Sequence, residues 1–306
     1  MPRPAIPVLA GLIVGILFAT ANVWALHDPR PHGAPVAASG TGASALARDL
    51  GAGFEVIAAD SAREAVETRR AYFGYGADGR LYYAGANGRS VNDPQLTAGG
   101  VDVVSLAEGD PNGNALAQLV LGTILGGFFT GVLMAQLALG SPLWQRGIAY
   151  AAFALAFGVL GATVASGFGI LPPGSFFATW AWMAATALTI SVGVGAFARV
   201  AGQAGLPLAM LFFLILGNPS SGATVPADYQ PWLFRTVGPY LPPNAFASGL
   251  SGTTYFDADV LRPVLVLAAW LLITGFVLVF LDRTRGSRRA LAHDAAGAAD
   301  EREDRS

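Results

Sequence analysis

Apolar runs and polar stretches alternate unevenly along this chain. The first run covers Ile6–Leu26, and a polar stretch, His27–Asn114, follows it. Five more runs come in quick succession: Ala115–Leu139, Ile148–Leu171, Phe176–Ala198, Leu206–Gly217 and Val264–Leu281. Most approach the roughly 20 residues that a helix needs to cross a bilayer's hydrocarbon core. The pattern predicts an all-α polytopic membrane protein with six transmembrane helices. A small extracytoplasmic α/β domain is inserted between the first and second. The expected divisions are a first helix at 1–27, the inserted domain at 28–114, a five-helix membrane domain at 115–282 and a disordered cytoplasmic tail at 283–306. The first run also has the core length and the Ala19-Thr20-Ala21 triplet of a signal peptide, but its apolar character continues through Trp24 and Leu26.

Within the polar stretch the period changes. Ser44–Leu50 reads as a short helix ending at Gly51, and Phe54–Ala58 alternates as a strand does. Ser61 and Glu64 form a capping box that opens a helix through Arg70. Asp78-Gly79 between Ala71–Gly76 and Leu81–Ala84 signals a hairpin, and Val101–Leu106 is a further strand candidate.

The fifth apolar run is short and feeds Asn218-Pro219-Ser220-Ser221-Gly222. Proline follows at 226, 231 and 239, then Leu241-Pro242-Pro243-Asn244. Tyr229, Trp232, Phe234, Tyr240 and Phe246 lie between these breakers. A segment this aromatic predicts short helical pieces at 218–260, lying in the outer interface or dipping into the membrane. Broken backbone at that depth needs protein or a water-filled cavity around it, and aromatic rings favour the headgroup level. Asn218, Pro219, Ser220, Ser221, Trp232, Phe234, Pro242, Pro243 and Asn244 are therefore candidates for a substrate path or outer gate. Gln118 and Gln136, mild polar groups on the second span, join them.

Charge sets the expected orientation. Arg3, Arg146, Arg199 and the cluster Arg283, Arg285, Arg288 and Arg289 share one side if both termini are cytoplasmic, as the positive-inside rule requires. Between the limits of the six runs there is no Asp, Glu, Lys or Arg, which argues against coupling to an ion gradient. The small-xxx-small spacing of Gly11 and Gly15, and of Gly122, Gly126, Gly127 and Gly131, suits either a dimer seam or packing inside one subunit.

The 306 residues include no cysteine, so disulfides and thiolate chemistry are excluded. All 18 basic residues are arginine. Without lysine the chain holds no Walker-type ATPase of its own. A net charge of −2 gives no basic field for nucleic acid. His27, His32 and His293 do not converge, and no cofactor, metal site or catalytic set is expected. Gly249-Leu250-Ser251-Gly252 resembles the serine motif of rhomboid proteases, but no histidine in the last span could serve as its base.

The strings LGNPSSGATVP and PWLFRTVGPYLPPNAFASGLSGTTYF, with Asp110-Pro111-Asn112-Gly113 leading into the second span, resemble the ABC transporter type-2 permease superfamily. The YhgE/Pip (phage infection protein) branch is the nearest in appearance. The resemblance implies six helices, a homo- or heterodimer, and export of an amphiphilic or cell-envelope substrate driven by a separate ABC ATPase. That partner would dock at the short Gly140–Gly147 connection, with Trp144 and Arg146 as contacts. The alternative is a non-transporting scaffold or receptor whose outer domain binds a surface partner.

Overall fold

The computed structural model describes residues 5–138 and 141–303. Arg3, Leu139 and Gly140 lie outside the described residues, as do the packing of Gly11 and the side chains of Arg285, Arg288 and Arg289. The chain is mostly helical, with one small sheet. Helix α1 spans Ala5–Leu26. The sheet domain follows, built from β1 (Ala34–Ala38), α2 (Ala43–Arg48), β2 (Phe54–Ala58), α3 (Ala62–Glu67), β3 (Phe73–Tyr75), β4 (Leu81–Tyr83), α4 (Pro94–Thr97) and β5 (Val101–Asp102).

The sheet order is β2-β1-β3-β4-β5. Strand β1 pairs in parallel with β2 and β3, β3 with β4 antiparallel, and β4 with β5 in parallel. The Asp78-Gly79 hairpin forms, with Gly79 at φ 74°. The capping box forms too: the Ser61 side chain accepts from the Glu64 N–H. Helix α3 is shorter than its pattern, ending at Glu67.

Strand β1 escapes sequence reading for a physical reason. Ala-Pro-Val-Ala-Ala has weak strand propensity, and a strand covered on both faces shows no alternation. Pro35 in such a strand argues against it. It is tolerated because β3 begins only at Phe73, opposite Val36. Pro35 is in register with Glu55 of β2, but its carbonyl points to the β3 side, where it accepts from the Tyr72 N–H at 2.9 Å, so the missing N–H falls on that side, just ahead of β3.

The helical bundle comprises α5 (Ala115–Leu137), α6 (Leu143–Gly167), α7 (Phe176–Ala201), α8 (Gly205–Met210), a π-helical turn at Leu211–Leu216, α9 (Trp232–Val237), α10 (Pro242–Thr254) and α11 (Leu261–Glu303). Among the described residues, four helices are long and apolar enough to cross a membrane: α5, α6, α7 and Leu261–Thr284 of α11. Two shorter apolar stretches, Leu12–Leu26 and Gly205–Leu216, accompany them. Helix α7 is the hub, touching α5, α6, α8, α10 and α11. Asp110 starts α5 by accepting from the Asn114 and Ala115 N–H groups at 2.9 Å each, satisfying orphan donors of the first turn.

The glycine spacing in α5 serves packing within one chain. A Cβ on Gly131 would lie 2.5 Å from Val194 Cβ, and one on Gly127 3.0 Å from Ile190 Cβ, both on α7. A Cβ on Gly126 would meet the Phe157 ring of α6 at 2.7 Å. Close backbone approach of this kind is what small residues permit.

Helix α11 runs on to Glu303 where a disordered tail was expected. The tail is rich in alanine, with arginine and glutamate among it, and these are good helix formers. Its low hydrophobicity gave the opposite reading.

Candidate functional site

The 218–244 region joins the two halves of the molecule. The π-helical turn, whose hydrogen bonds skip one residue further than in an α-helix, ends at Gly217 and gives way to a 3-10 turn at Pro219–Ser221. Such π turns occur often at functional positions. Gly222 then adopts φ 77°, the left-handed region. Three side chains hold this break. Asn218 Nδ2 donates to Asn22 Oδ1 of α1 at 2.9 Å. Asn244 Nδ2 donates to the Ser220 and Ser221 carbonyls at 3.1 Å each. Gln230 Nε2, fully buried, donates to the Pro219 and Val225 carbonyls at 2.7 Å each. The Asn244 and Gln230 amides thus replace backbone bonds that the broken helix forgoes, while Asn218 ties the break to α1.

Apolar residues of the same region wedge into both halves. Val225 and Tyr229 enter the core of the sheet domain with Val36 and Phe73. Phe234 packs with Ala21, Ala25 and Ile215, while Phe246 and Leu250 of α10 join the bundle core around Ile190 and Phe213. The backbone N–H of His32 donates to the Asp228 carbonyl at 2.8 Å.

Between these surfaces lies a cavity of about 510 Å³. Its lining includes Arg69, Arg70 and Tyr72 of the sheet domain, and Ser221, Asp228, Arg235 and Asn244 of the broken segment. Asp259 and Arg262, at the start of α11, complete its charged rim. Arg69 is placed by an unusual backbone. It has φ 57°, and it stands alone among described non-glycine residues in that region. Helix α3 ends in a Schellman arrangement, with the Arg70 N–H on the Ala65 carbonyl and the Arg69 N–H on the Val66 carbonyl. That motif normally places glycine where Arg69 sits. From there the Arg69 guanidinium donates to Ser251 Oγ at 2.5 Å and lies 5.2 Å from the Phe256 ring centre. Burial lowers its pKa, and the nearby Tyr72 and Asp228 act against that shift. Tyr72 donates to Asp228 Oδ2 at 3.1 Å. Burial foremost, then Asp228, raises the Tyr72 phenol above its ordinary value, and the same two causes raise Tyr229.

The expected path residues fall into distinct places. Ser221 and Asn244 line the cavity. Pro219, Ser220, Pro242 and Pro243 are buried beneath it. Asn218 faces α1. Phe234 is buried, whereas Trp232 is exposed. Gln118 and Gln136 do not join the group. Both are exposed, and they stand near opposite ends of α5, about 27 Å apart at 1.5 Å per residue. Sequence reading missed Arg69, Arg235 and Arg262, because nothing in their local pattern separates them from other surface arginines.

Trp144 and Arg146 diverge at the opposite end of the bundle. Trp144 is 65% exposed. Arg146 is turned inward, its side chain only 4% exposed. It pairs with Asp282 Oδ2 at 2.5 Å, and Arg199 pairs with Asp282 Oδ1 at 2.9 Å. One carboxylate beyond the last apolar run thus ties α6, α7 and α11 together. The Arg146 guanidinium is engaged there and is not presented to a partner.

No family model matches the chain, and no curated protein and no solved structure matches it.

Proposed function

We propose that the chain is a permease-like membrane subunit that moves an amphiphilic cell-envelope molecule outward. In this reading α1 and the 205–216 stretch complete six crossings, both termini are cytoplasmic and the sheet domain is outside. The chain works as a homo- or heterodimer with a separate ABC-type ATPase. The observation that carries the reading is the cavity at the break. Helical backbone stops at Gly217, three amides stabilise the interruption, and a polar chamber opens there against a folded domain. Interrupted helices that line a cavity are typical of substrate sites in transporters. The 12 residues of Gly205–Leu216 are short for a full crossing at 1.5 Å per residue, and the 218–241 segment that follows packs against the outer sheet domain through Val225 and Tyr229.

A second reading, a scaffold or receptor, draws on the other end. The α5–α6 connection is short and Arg146 is locked in an ion pair, which leaves Trp144 as the exposed contact. Affinity purification from native membranes separates the two. The permease reading expects a nucleotide-binding subunit to co-purify and Trp144→Ala to weaken it. Absence of any such subunit, with export phenotypes intact in Trp144→Ala, sinks the permease reading. Topology is checked with single cysteines, since the chain has none of its own. Gln95→Cys should label from outside and Trp144→Cys from inside; labelling from one side alone refutes the arrangement.

A further inference from the structure

The cavity at the break adjoins a second hollow of opposite character. This groove, about 460 Å³, runs between α7 and α11 and is lined by Phe197, Tyr240, Val266, Trp270, Ile273 and Val277, among others. The two meet at Arg262 and Tyr240. Arg262 lines the polar cavity, Tyr240 roofs the groove, and the guanidinium carbon sits 5.7 Å from the Tyr240 ring centre. Tyr240 is held there by Trp270 Nε1, which donates to its carbonyl at 2.8 Å.

The polar cavity carries a surplus of cations. Four arginines line it against two aspartates. Both carboxylates have other work: Asp259 Oδ1 accepts from the Leu261 N–H at the start of α11, and Asp228 accepts from Tyr72. Arg70 lies 3.8 Å from Glu64. Among the described residues, Arg69, Arg235 and Arg262 make no ion pair. The Arg235 Nη1 group donates only to the His32 carbonyl, at 2.9 Å. Three guanidiniums without a carboxylate partner, gathered on one chamber, fit an anion that takes bidentate hydrogen bonds, as a phosphate group does. The groove supplies the complementary half. Val266 to Val277 spans about 16 Å along α11 at 1.5 Å per residue, close to one leaflet of a roughly 30 Å core.

We propose that the cavity and the groove together form one binding site for an anionic, phosphate-bearing amphiphile, with the phosphate at Arg69, Arg235 and Arg262 and an acyl chain along α7 and α11. The proposal rests on the membrane placement given under the proposed function and names the class of molecule that the break admits.

The test titrates lipid onto the purified full-length chain in detergent and follows binding by native mass spectrometry. Quenching of tryptophan fluorescence by brominated acyl chains is followed in parallel, because Trp270 lines the groove. The probes are phosphatidylglycerol, phosphatidylcholine of the same chains, dihexanoyl phosphatidylglycerol and inorganic phosphate. The expected result is at least about tenfold tighter binding of long-chain phosphatidylglycerol than of phosphatidylcholine. The double variant Arg235→Gln/Arg262→Gln should abolish that preference. Ala269→Phe, which narrows the groove, should weaken the long-chain lipid while leaving the dihexanoyl form unchanged. High salt should reduce the preference in the unsubstituted protein, a test that holds even if a variant fails to fold. Equal binding of the two long-chain lipids overturns the proposal, as does a preference that survives the double variant. Inorganic phosphate binding as tightly as the lipid would mark a free-phosphate site and overturn it too. Lipid binding intact while export is unchanged in the absence of the chain counts against the transport reading alone. Lipid preference lost in the double variant with export unchanged counts against this ligand as the cargo.

Discussion

Removal of Asp282 gives the sharpest energetic test of the bundle. Its carboxylate serves two guanidiniums, Arg146 at 2.5 Å and Arg199 at 2.9 Å, in a site where the three side chains are 4%, 15% and 16% exposed for Arg146, Arg199 and Asp282. In Asp282→Ala, two largely buried cations lose their shared anion and repel one another. Stripping one partner from a buried ion pair costs about 3–5 kcal/mol. Arg146→Met is gentler, because Asp282 keeps Arg199 and the methionine refills much of the volume. That loss is one charge-assisted hydrogen bond, about 1.5–3 kcal/mol. For a chain of this size about 1 kcal/mol corresponds to roughly 2 °C. The apparent melting temperature, measured by fluorescence-detected size exclusion in one detergent, should therefore fall by about 6–10 °C in Asp282→Ala and by about 3–6 °C in Arg146→Met. Scan rate is held constant, since unfolding of a membrane protein is commonly irreversible. The reasoning is refuted if Arg146→Met melts within about 1 °C of the parent while losing a partner protein. In that case the guanidinium is a docking group and the inward ion pair is energetically idle. It is equally refuted if Arg146→Met is the more damaging of the two.

Three further outcomes follow from local geometry. Arg69→Gly should be more stable than Arg69→Ala by about 1 kcal/mol, since both lose the Ser251 and Phe256 contacts and only alanine retains the strain of φ 57°; equal melting temperatures would remove the strain argument. Gly131→Leu drives a side chain into Val194 and the Ser191 carbonyl, so about 1–3 kcal/mol of overpacking is expected, read as reduced monodisperse yield, whereas Gly122→Leu, which faces open space, should behave as the parent. In an alkaline titration followed at 295 nm, Tyr72→Phe/Tyr229→Phe should remove the latest-ionising absorbance. Because burial raises both phenols, the stability that their neutral forms confer is complete below about pH 10 and is lost as pH rises toward their folded values; an unchanged high-pH limb contradicts the assignment.

Much of this architecture is legible in residue order, and the exceptions have a common cause. The long helices, the Asp78-Gly79 hairpin and the Ser61 cap depend on neighbours within a few positions, so α5, α6, α7, α11, β3, β4 and α3 appear in the pattern. The proline spacing marks 218–244 as broken for the same reason. Strand β1 is invisible because Ala34–Ala38 gains its stability from β2 and β3 on either side, not from its own propensity. Arg146 reads as a loop cation because its partner lies 136 residues away. Arg69, Arg235 and Arg262 come from three separate stretches and meet only when the broken segment is clamped between sheet and bundle. Sequence by itself determines which segments are apolar, where backbone must break and which chemistries the composition excludes, because these are local sums of transfer energy and dihedral preference. Only the tertiary structure decides which charges face one another, because Coulombic pairing and burial depend on distance through space.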